Sequence, residues 1–445
     1  MNQLSIVIPV KSSDSCWELL VNSLLTFNTS FEIILVGPDF KNKISTNEKV
    51  RFVYSSQGRA RQLNTGAKAA RHSLLWFLHA DTKIKENNLV SLLNRFKENP
   101  NALYFFDLTF SKTGPKLMSL NALGVWMRSR WLKMPFGDQG LVMSKKVFYQ
   151  LGQFDLDAPY GEDHLLVWRA HQQGIDIIPI NETLETSPRK YQDNGWLKTT
   201  LTHVYLTYKQ AFPEWVKTIR PHKRPAVAIF VKTPGVSTVK SRLASVVGKE
   251  KAEEFFHISL KATEALAAEA ARQSKGELAV YWAVAESAEL ENPLWANFST
   301  ISQGEGDLGE RLHHIYSTLQ KKHSSVYLIG ADLPHLPAER LIEATKRIEQ
   351  TDYVMGETDD GGFYLFGGKN PIDKKSWKAI PYSTDETAAK LTDELNRLKF
   401  SFLPKEFDVD FYEDLIKLNS LERKNLLPEQ DNVFVWLKEF LKTQK

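Results

Sequence analysis

The stretch at residues 58–82, GRARQLNTGAKAARHSLLWFLHADT, constrains this chain more than any other. Its apolar run LLWFL predicts a buried strand, which ends abruptly at an acid, Asp81. In open α/β sheets, ligands bind outside the carboxyl ends of the strands, and helix starts favour anions. Two readings of these residues remain open. They form either a phosphate and metal site, built from Arg59, Arg61, Gln62 and Asp81, or a solvated helix followed by a capping acid.

Length and composition limit the class of protein. A chain of 445 residues predicts two or three domains, and 42% hydrophobic with 25% charged residues is typical of globular proteins. The net charge of +4 is too small to predict nucleic-acid binding, although it suits phosphorylated small molecules. The single cysteine excludes an internal disulfide, and we see neither a leader-like start nor an apolar run long enough to insert stably in a membrane. We therefore expect a cytoplasmic enzyme of undetermined oligomeric state.

Buried-type strands alternate with helical patterns along the chain. Strand-like runs at residues 4–10, 31–36 and 50–54 precede the run described above, and such alternation predicts βαβ units with a mostly parallel sheet. After a proline-rich basic stretch, the same alternation restarts at residues 226–231. We therefore predict an α/β chain of two domains, residues 1–218 and 226–445, joined by a linker at 219–225.

Three later segments of the first half carry chemistry or ordinary structure. The sequence FGDQG at residues 136–140 fits a glycine–aspartate turn or a site that contains Asp138 and Gln139. Glu162 and Asp163 begin a helix, where acids favour the helix dipole but also suit general-base catalysis. The basic–aromatic segment 121–134 fits an acceptor-side wall, a helix on a membrane surface or packing against the sheet.

Taken in order, the motifs GRARQLNTGA, FLHADT, GDQ and GED resemble the family-two, GT-A type glycosyltransferases, within them a branch named for its radical-SAM/selenodomain association. The resemblance implies that Asp81 coordinates a divalent metal and that Asp163, supported by Glu162 or His164, is the general base. It also implies that Asp138 and Gln139 lie on the acceptor side. The donor would be bound by Arg59, Arg61, Gln62 and by Arg189 of the segment SPRKY. Relatives carry Asp-Gly-x-Ser after the second strand, whereas this chain has Gly37-Pro38-Asp39, which makes Asp39 the candidate nucleotide contact.

The second half repeats the pattern of loops that follow strands. A loop at residues 232–243 holds Lys232, Lys240 and Arg242 before a helix, which suits a triphosphate or a solvated basic loop. Asp332 follows the strand-like run at residues 326–329, and further acids follow later strands. Scattered single carboxylates are compatible with Mg²⁺, which binds few carboxylates together with substrate phosphates.

This half resembles GT-A-like nucleotidyltransferases such as the phospholactate guanylyltransferases, and more closely the companion transferase of the same radical-SAM/selenodomain association. The resemblance implies that Asp332, Asp408 and Asp410 face a divalent metal, and that Lys232, Lys240 and Arg242 bind phosphates. The substrate pocket that it implies is lined by Asp307, Arg311, Asp360, Gly361, Gly362 and Asp385.

Together these resemblances predict a bifunctional enzyme with Mg²⁺ or Mn²⁺ in each domain. The second domain would couple a sugar phosphate to a nucleoside triphosphate, and the first would transfer the sugar from the nucleotide sugar to an acceptor hydroxyl with inversion. Arsenosugar-like or other modified glycosides would be the products. The alternatives are two glycosyltransferases that act in sequence, a second domain that only binds or senses nucleotide, and a protein that works at a membrane surface.

Overall fold

A computed structural model describes residues 4–110, 118–186, 196–219, 223–395 and 399–443. The chain divides into two compact units, Met1–Pro221 and His222–Lys445. Each unit contains one seven-stranded sheet. The predicted α/β fold with two mostly parallel sheets is therefore confirmed.

The strands of the first unit are β1 (Leu4–Pro9), β2 (Phe31–Gly37), β3 (Val50–Tyr54), β4 (Leu74–Phe77), β5 (Leu103–Phe110), β6 (Val142–Ser144) and β7 (Ile177–Thr186). Its described α-helices are α1 (Trp17–Leu25), α2 (Arg59–Ala69), α3 (Glu86–Glu98), α4 (Met118–Trp131), α5 (Lys145–Gln150), α6 (Glu162–Gln172) and α7 (Trp196–Ile219).

The strands of the second unit are β8 (Ala226–Val231), β9 (Ala279–Val284), β10 (Ser299–Ser302), β11 (Val326–Ile329), β12 (Tyr353–Thr358), β13 (Phe363–Gly368) and β14 (Phe400–Glu406). Its described α-helices are α8 (Ser241–Val247), α9 (Lys249–Gln273), α10 (Leu308–Gln320), α11 (Ala338–Arg347), α12 (Lys374–Lys378), α13 (Thr387–Glu394), α14 (Tyr412–Asn419) and α15 (Pro428–Thr443).

The two sheets have the same strand order. The first runs β3-β2-β1-β4-β6-β5-β7 and the second runs β10-β9-β8-β11-β13-β12-β14. In each sheet the sixth strand in sequence, β6 or β13, is antiparallel to its neighbours, and the other recorded pairings are parallel. The chain leaves the first strand toward one side for the second and third strands, and continues on the other side with the fourth. Each sheet therefore has a topological switch point beside its first strand, the usual place for a ligand.

Burial on both faces explains why the strand sequences are continuously apolar. Ile6 and Ile8 of β1 belong to one core cluster, whereas Val7 between them belongs to another on the opposite face. Successive side chains of a strand point to opposite faces, so both faces of the first sheet are covered.

The end of the described chain forms the helix α15, which packs against the second domain. Val433, Phe434 and Leu437 of α15 are buried in a cluster with Phe255 of α9. None of the described helices combines the length and apolar composition that a membrane crossing requires.

Candidate functional site

The candidate residues of the first domain lie along one edge of its sheet. Asp39 follows β2, Arg59 follows β3 and Asp81 follows β4, and these parallel strands all end on the same side. The segment 137–139 precedes β6, which is antiparallel to β4 and so begins on that side. Motifs that are far apart in sequence therefore meet at the switch point.

Arg59 is the centre of this site. Its Nη1 lies 2.9 Å from Glu162 Oε1 and 3.7 Å from Asp163 Oδ2, and its Nη2 lies 2.5 Å from His79 Nε2. One guanidinium thus joins the start of α2, the loop after β4 and the start of α6. A planar arginine fork suits carboxylates and phosphates alike, so the same group could contact a donor diphosphate.

Asp163 is a buried, oriented carboxylate. The Gly137 amide donates to its Oδ2 at 2.5 Å, and the His164 amide donates to its Oδ1 at 2.9 Å. Burial alone would raise the pKa of Asp163, but the Arg59 charge and the two amide donors outweigh burial and hold the pKa below its usual value. Asp163 is therefore ionised near neutral pH and able to accept a proton.

Gly137 is required by this close packing. A Cβ at this position would overlap Arg59 Nη2 and would lie 2.7 Å from Asp163 Oδ2. Any other residue would push the arginine or the carboxylate out of place. The glycine of the GDQ segment therefore admits the base and its counter-charge rather than only forming a turn.

His164 is fixed in a neutral form beside the base. The Trp168 indole donates to its Nε2 at 2.9 Å, so its Nδ1 carries the proton and donates to Gln210 Oε1 at 2.7 Å. Burial lowers the pKa of His164 below its usual value. Gln210 of α7 in turn donates to the Tyr160 carbonyl at 2.9 Å. Sequence reasoning missed Gln210, because it lies 46 positions from His164 in a segment without a motif.

The other predicted donor residues have different surroundings. Asp39 accepts from the Ser12 hydroxyl at 2.9 Å and from the Ser13 amide at 2.8 Å, which ties the ends of β1 and β2 together. Arg61 is exposed and donates to Ser56 Oγ at 3.2 Å. Asp81 is partly buried, and among the described residues it has no hydrogen-bond or ion-pair partner. Arg189 lies outside the described residues.

Gln62 has a structural role in place of the predicted phosphate contact. It is buried, and its amide donates to the Val10 carbonyl at 2.6 Å and the Val36 carbonyl at 3.0 Å. It therefore clamps the carboxyl ends of the first two strands. The donor nitrogen is turned inward and is not available to a ligand at the edge.

Asp138 and Gln139 form a short helical turn before β6. Gln139 is fully buried; its amide donates to the Phe106 carbonyl at 3.0 Å and its oxygen accepts from Arg128 at 3.1 Å. Arg128 also lies over the Phe136 ring, 3.5 Å from its centroid. Gln139 therefore positions the turn that carries Gly137, and Asp138 is the remaining acceptor-side candidate in that turn.

The candidate residues of the second domain also share one edge. The basic loop follows β8, Asp332 follows β11, and Asp408 with Asp410 follows β14. The segment 359–362 joins the end of β12 to the start of the antiparallel β13, on the same side. The Val409 amide donates to the Asp332 carbonyl at 3.0 Å, so two of these loops are in direct contact.

Lys240 is the centre of the second site. Its side chain is 3% exposed, and its ammonium donates to Asp410 Oδ1 at 3.0 Å, to the Val409 carbonyl at 2.6 Å and to Asp332. Burial lowers the pKa of Lys240, but the Asp332 and Asp410 carboxylates raise it by a larger amount. The pKa of Lys240 therefore lies above its usual value. The lysine therefore stays charged and neutralises acids as well as being a candidate phosphate contact.

Asp408 is left with an excess of negative charge around it. Burial first, and then the neighbouring Asp332 and Asp410 charges, raise the pKa of Asp408 to about 8. Its Oδ1 is buried and has no hydrogen-bond partner among the described residues. The cluster thus holds more acids than Lys240 neutralises.

The remaining cations of the loop are accessible. Lys232 is exposed, and the side chain of Arg242 is more than half exposed. The Arg242 Nη1 atom lies 3.5 Å from Asp410 Oδ2. Both could meet a phosphate at the edge. Asp307, by contrast, is the N-cap of α10, where its carboxylate accepts from the Glu310 amide at 2.9 Å. A capping role therefore accounts for Asp307 without a substrate.

Arg311 and Gln303 connect this helix to the sheet. Arg311 donates to the Gly306 carbonyl at 3.1 Å and lies 3.4 Å from Gln303 Oε1. The buried Gln303 amide donates to the Val231 carbonyl at 3.2 Å and the Ala283 carbonyl at 2.8 Å. Gln303 thus clamps β8 to β9 as Gln62 clamps β1 to β2, a second role that no sequence motif indicated.

The Asp-Gly-Gly segment meets the loop that carries Asp385. Gly361 has a φ of +84°, and a Cβ there would overlap the Asp385 carbonyl oxygen. Asp360 accepts from Thr358 Oγ1 at 2.5 Å and from the Gly362 amide at 3.1 Å, which shapes the turn. These predicted pocket residues are therefore adjacent, and Asp385 itself is exposed.

Divalent metal was predicted at both edges. In the first domain, no hydrogen bond or ion pair of Asp81 is found among the described residues, and such a carboxylate fits a metal whose other ligands are substrate phosphates. In the second, the unpartnered Asp408 oxygen fits a cation, whereas Lys240 already lies between Asp332 and Asp410. Within the described ranges, no set of three or more His, Cys, Asp or Glu side chains is arranged to hold a metal ion. Bound phosphates would have to complete either site.

Two protein families match parts of the chain. Residues 5–154 match the family described as glycosyl transferase family 2. Residues 266–384 match a family described as an uncharacterized protein conserved in bacteria (DUF2064). The first domain is therefore glycosyltransferase-like, and the second is a domain of unknown function. With the strand order that the sheets share, the fold is that of tandem GT-A-like domains.

Two solved structures are similar in part. One is from Desulfovibrio desulfuricans G20, a protein provisionally described as a nucleotide-diphospho-sugar transferase, with 24% identity and a TM-score of 0.44 over 50% of this chain and 98% of that one. The other is S. aureus TarS 1-349, with 16% identity and a TM-score of 0.31 over 42% of this chain and 60% of that one. No protein of curated function matches the chain.

Proposed function

We propose that the first domain is an inverting glycosyltransferase that uses a nucleotide-diphospho-sugar donor and an acceptor hydroxyl. The observation that carries the proposal is the environment of Asp163: an ionised, buried carboxylate, aimed by two backbone amides, beside an arginine at the switch point of the sheet. Inverting transfer needs a carboxylate that accepts the acceptor proton and a cation that faces the leaving diphosphate.

The residues divide the reaction between them. The acceptor oxygen attacks the anomeric carbon, and its proton passes to Asp163. The bond from that carbon to the diphosphate oxygen breaks, and the nucleoside diphosphate leaves with the electron pair. Arg59 and Arg61 offer charge to the phosphates, Asp39 is the proposed nucleoside contact, and Arg189 remains a predicted donor contact. A divalent cation on Asp81 would neutralise diphosphate charge when bound.

Nucleoside diphosphate release from a panel of nucleotide sugars tests this proposal on the full chain. We expect release in the wild type and a loss of roughly 100-fold or more in Asp163→Asn, because general-base catalysis contributes about that factor. Asp157→Asn is the matched control, since Asp157 is exposed on the preceding loop. Equal turnover by both variants would contradict the role of Asp163, and no release from any donor would contradict glycosyl transfer.

For the second domain we propose nucleotidyl transfer. A sugar phosphate oxygen attacks the α-phosphorus of a nucleoside triphosphate, the bond to the β-phosphate oxygen breaks, and pyrophosphate leaves with the electron pair. The exposed cations Lys232 and Arg242 beside the acid cluster support phosphate handling. A divalent cation at Asp332 and Asp408 would neutralise the triphosphate when bound. The modified-sugar products implied by the resemblance stay a prediction.

The shared strand order favours one alternative, a second glycosyltransferase. The product that leaves separates the two activities. Pyrophosphate released from a triphosphate and a sugar phosphate, and lost in Asp332→Asn, supports nucleotidyl transfer. Nucleoside diphosphate whose release depends on Asp332 but not on Asp163 supports the second glycosyltransferase. If nucleotides stabilise the domain without either release, it is a nucleotide-binding module and the proposal fails.

A further inference from the structure

Two neighbouring helices of the first domain expose an unusual amount of apolar surface. We define the apolar face as the large apolar side chains of α4, of the residue that follows α4, and of α7. Each of these side chains is more than a third exposed. They are Leu120, Leu123, Trp126, Met127, Trp131, Leu132, Leu197, Leu201, Val204, Tyr205, Tyr208, Phe212, Trp215 and Ile219. Elsewhere among the described residues such side chains are well separated along the sequence, whereas a contiguous patch marks an interaction surface.

The apolar residues of α7 form one stripe. Apart from the adjacent Val204 and Tyr205, they recur every three or four positions from Leu197 to Ile219, a spacing that places them on a single side of the helix. The helix has 24 residues and so extends for about 36 Å. Among its described residues, Thr199 alone is buried. The helix therefore presents most of its apolar surface outward.

Asn121 connects the two helices. Its side-chain oxygen accepts from the Trp196 indole at 3.1 Å, and its nitrogen donates to Thr200 Oγ1 at 3.3 Å. The first turn of α4 is thus held against the first turn of α7. The exposed apolar side chains therefore lie on two helices that are joined at their starts.

The charge of the same segments is strongly one-sided. Residues 118–134 and 196–219 carry six cations: Arg128, Arg130, Lys133, Lys198, Lys209 and Lys217. The acid in these segments is Glu214, which is paired with Lys217 at 2.7 Å. The two arginines bond inward, to the Met134 carbonyl and to Asp107, whereas the lysines are exposed. A partner that covers the apolar face must therefore be apolar at its centre and negative around it.

We propose that the apolar face docks on an anionic lipid bilayer, with α4 and α7 lying in the plane of the membrane–water interface. Trp and Tyr are well suited to that interface because one end of each ring is apolar and the other polar. Lysines beside an apolar stripe are attracted to anionic headgroups. A second copy of the chain fits less well, because a symmetric interface would oppose identical basic surfaces.

The location of the apolar face connects membrane binding with the proposed glycosyl transfer. Only this connection rests on the proposed function. Gln210, on the same helix α7, bonds His164 next to Asp163, and Arg128 of α4 bonds the turn that carries Gly137. Docking would therefore bring the candidate base close to the lipid surface. Membrane binding itself is measured without any substrate, so its failure is distinguishable from failure of the transfer.

Vesicle flotation of the full chain tests the proposal. Vesicles of phosphatidylcholine alone are compared with vesicles that contain about one third phosphatidylglycerol, at low and high salt. We expect at least roughly tenfold tighter binding to the anionic vesicles, with the difference reduced by salt, because each lysine near such a surface contributes appreciably.

Two variants separate the contributions. Tyr208→Ser/Phe212→Ser/Trp215→Ser removes apolar contacts, and Lys198→Gln/Lys209→Gln/Lys217→Gln removes charge. The matched controls lie in the second domain: Val246→Ser/Ile416→Ser/Val435→Ser at exposed apolar positions, and Lys249→Gln/Lys251→Gln/Lys261→Gln on the exposed side of α9. Circular dichroism and thermal melting of every variant show whether it folds.

The expected result is a loss of roughly tenfold or more in each face variant and near-wild-type binding in both controls. Three results would overturn the proposal. One is absence of flotation with anionic vesicles. The second is equal loss in the face variants and the controls. The third is a dimer in light scattering that the aromatic variant dissociates while vesicle binding is absent, which would assign the face to a second copy.

Discussion

The two domains share one strand order but build their centres from different loops. In the first, the central cation is Arg59, after the third strand, and its acids come from the start of α6. In the second, the cation is Lys240, after the first strand, and its acids follow the fourth and seventh strands. The place of the candidate site is therefore fixed by the sheet, whereas the charged groups at that place depend on which loop supplies them. Asp81 and Asp332 are the acids that both domains place after the fourth strand.

Removing the central cation gives the largest expected difference between the domains. Arg59→Met leaves the buried Asp163 without its counter-charge, and we expect a loss of about 3 kcal/mol in the unfolding free energy of the first domain. Lys240→Met leaves Asp332 and Asp410, which are more than a third exposed, so solvent screening limits the loss to about 1–2 kcal/mol. Hydrogen exchange with mass spectrometry reads each domain separately.

The pH dependence of Arg59→Met follows from the pKa of Asp163. That pKa is lowered in the folded state, so the stabilisation is present above the unfolded value of about 4 and is lost as pH falls through the folded pKa. The deficit of the variant should therefore be largest at neutral pH and shrink below about pH 4. A deficit that is independent of pH would contradict the electrostatic explanation.

Glycine substitutions should change the activity or ligand binding of one domain without affecting the other domain. Gly137→Ala would displace Arg59 or Asp163, and we expect roughly a 100-fold loss of nucleoside diphosphate release. Gly361→Ala would displace the Asp385 loop and should affect ligand binding in the second domain alone. Gly124→Ala in α4 is the control, since nothing lies within 4 Å of its added Cβ. Cross-effects between the domains would contradict this separation.

The paired glutamines should have equal effects. Gln62→Leu and Gln303→Leu each remove an amide that donates to two strand-end carbonyls. We expect each to cost its own domain about 1–2 kcal/mol, because buried acceptors are left unsatisfied. Chemical denaturation followed by hydrogen exchange measures the two losses. A large loss in only one domain would show that the clamps are not equivalent.

Mg²⁺ without nucleotide should produce the smallest of these effects, a change in the melting temperature of the second domain. Lys240 occupies the position between Asp332 and Asp410, so we expect less than about 1 °C of stabilisation of the wild-type second domain. Lys240→Met should gain a few degrees, because the cation replaces the lost ammonium. The same small shift in both proteins would show that these acids do not bind the cation, and EDTA provides the reference state.

The sequence was sufficient to predict both sheets and that the candidate residues of each domain share one edge of its sheet. Runs such as LSIVIPV are apolar on both faces, and an acid or a basic loop follows them, so topology brings these residues together. Partnerships could not be predicted in the same way. Lys240 meets Asp410 across 170 positions, and the residues beside Gln62, Gln303 and Gln210 in the sequence do not indicate the partners of these glutamines. Their roles depend on atoms that become adjacent only after the loops pack.

The roles of single residues were predicted least well where local structure explains them. Asp307 caps a helix, and Gln139 is buried under its turn, although both stand in motifs that suggest substrate contacts. The segment 121–134 also shows the limit of pattern reading: its helix runs Met118–Trp131 and exposes more apolar surface than packing alone predicts. Periodicity gives the helix but not which of its sides is left uncovered.

The hydrogen bond between Gln210 and His164 has a consequence for regulation. It joins α7, whose outer stripe is exposed, to the residue that follows Asp163. If docking of that stripe changes the affinity for a donor, thermodynamic reciprocity requires the donor to change the affinity of docking by the same factor. The hydrogen bond of a single amide would then couple the time that the enzyme spends at a surface to the occupancy of its donor site.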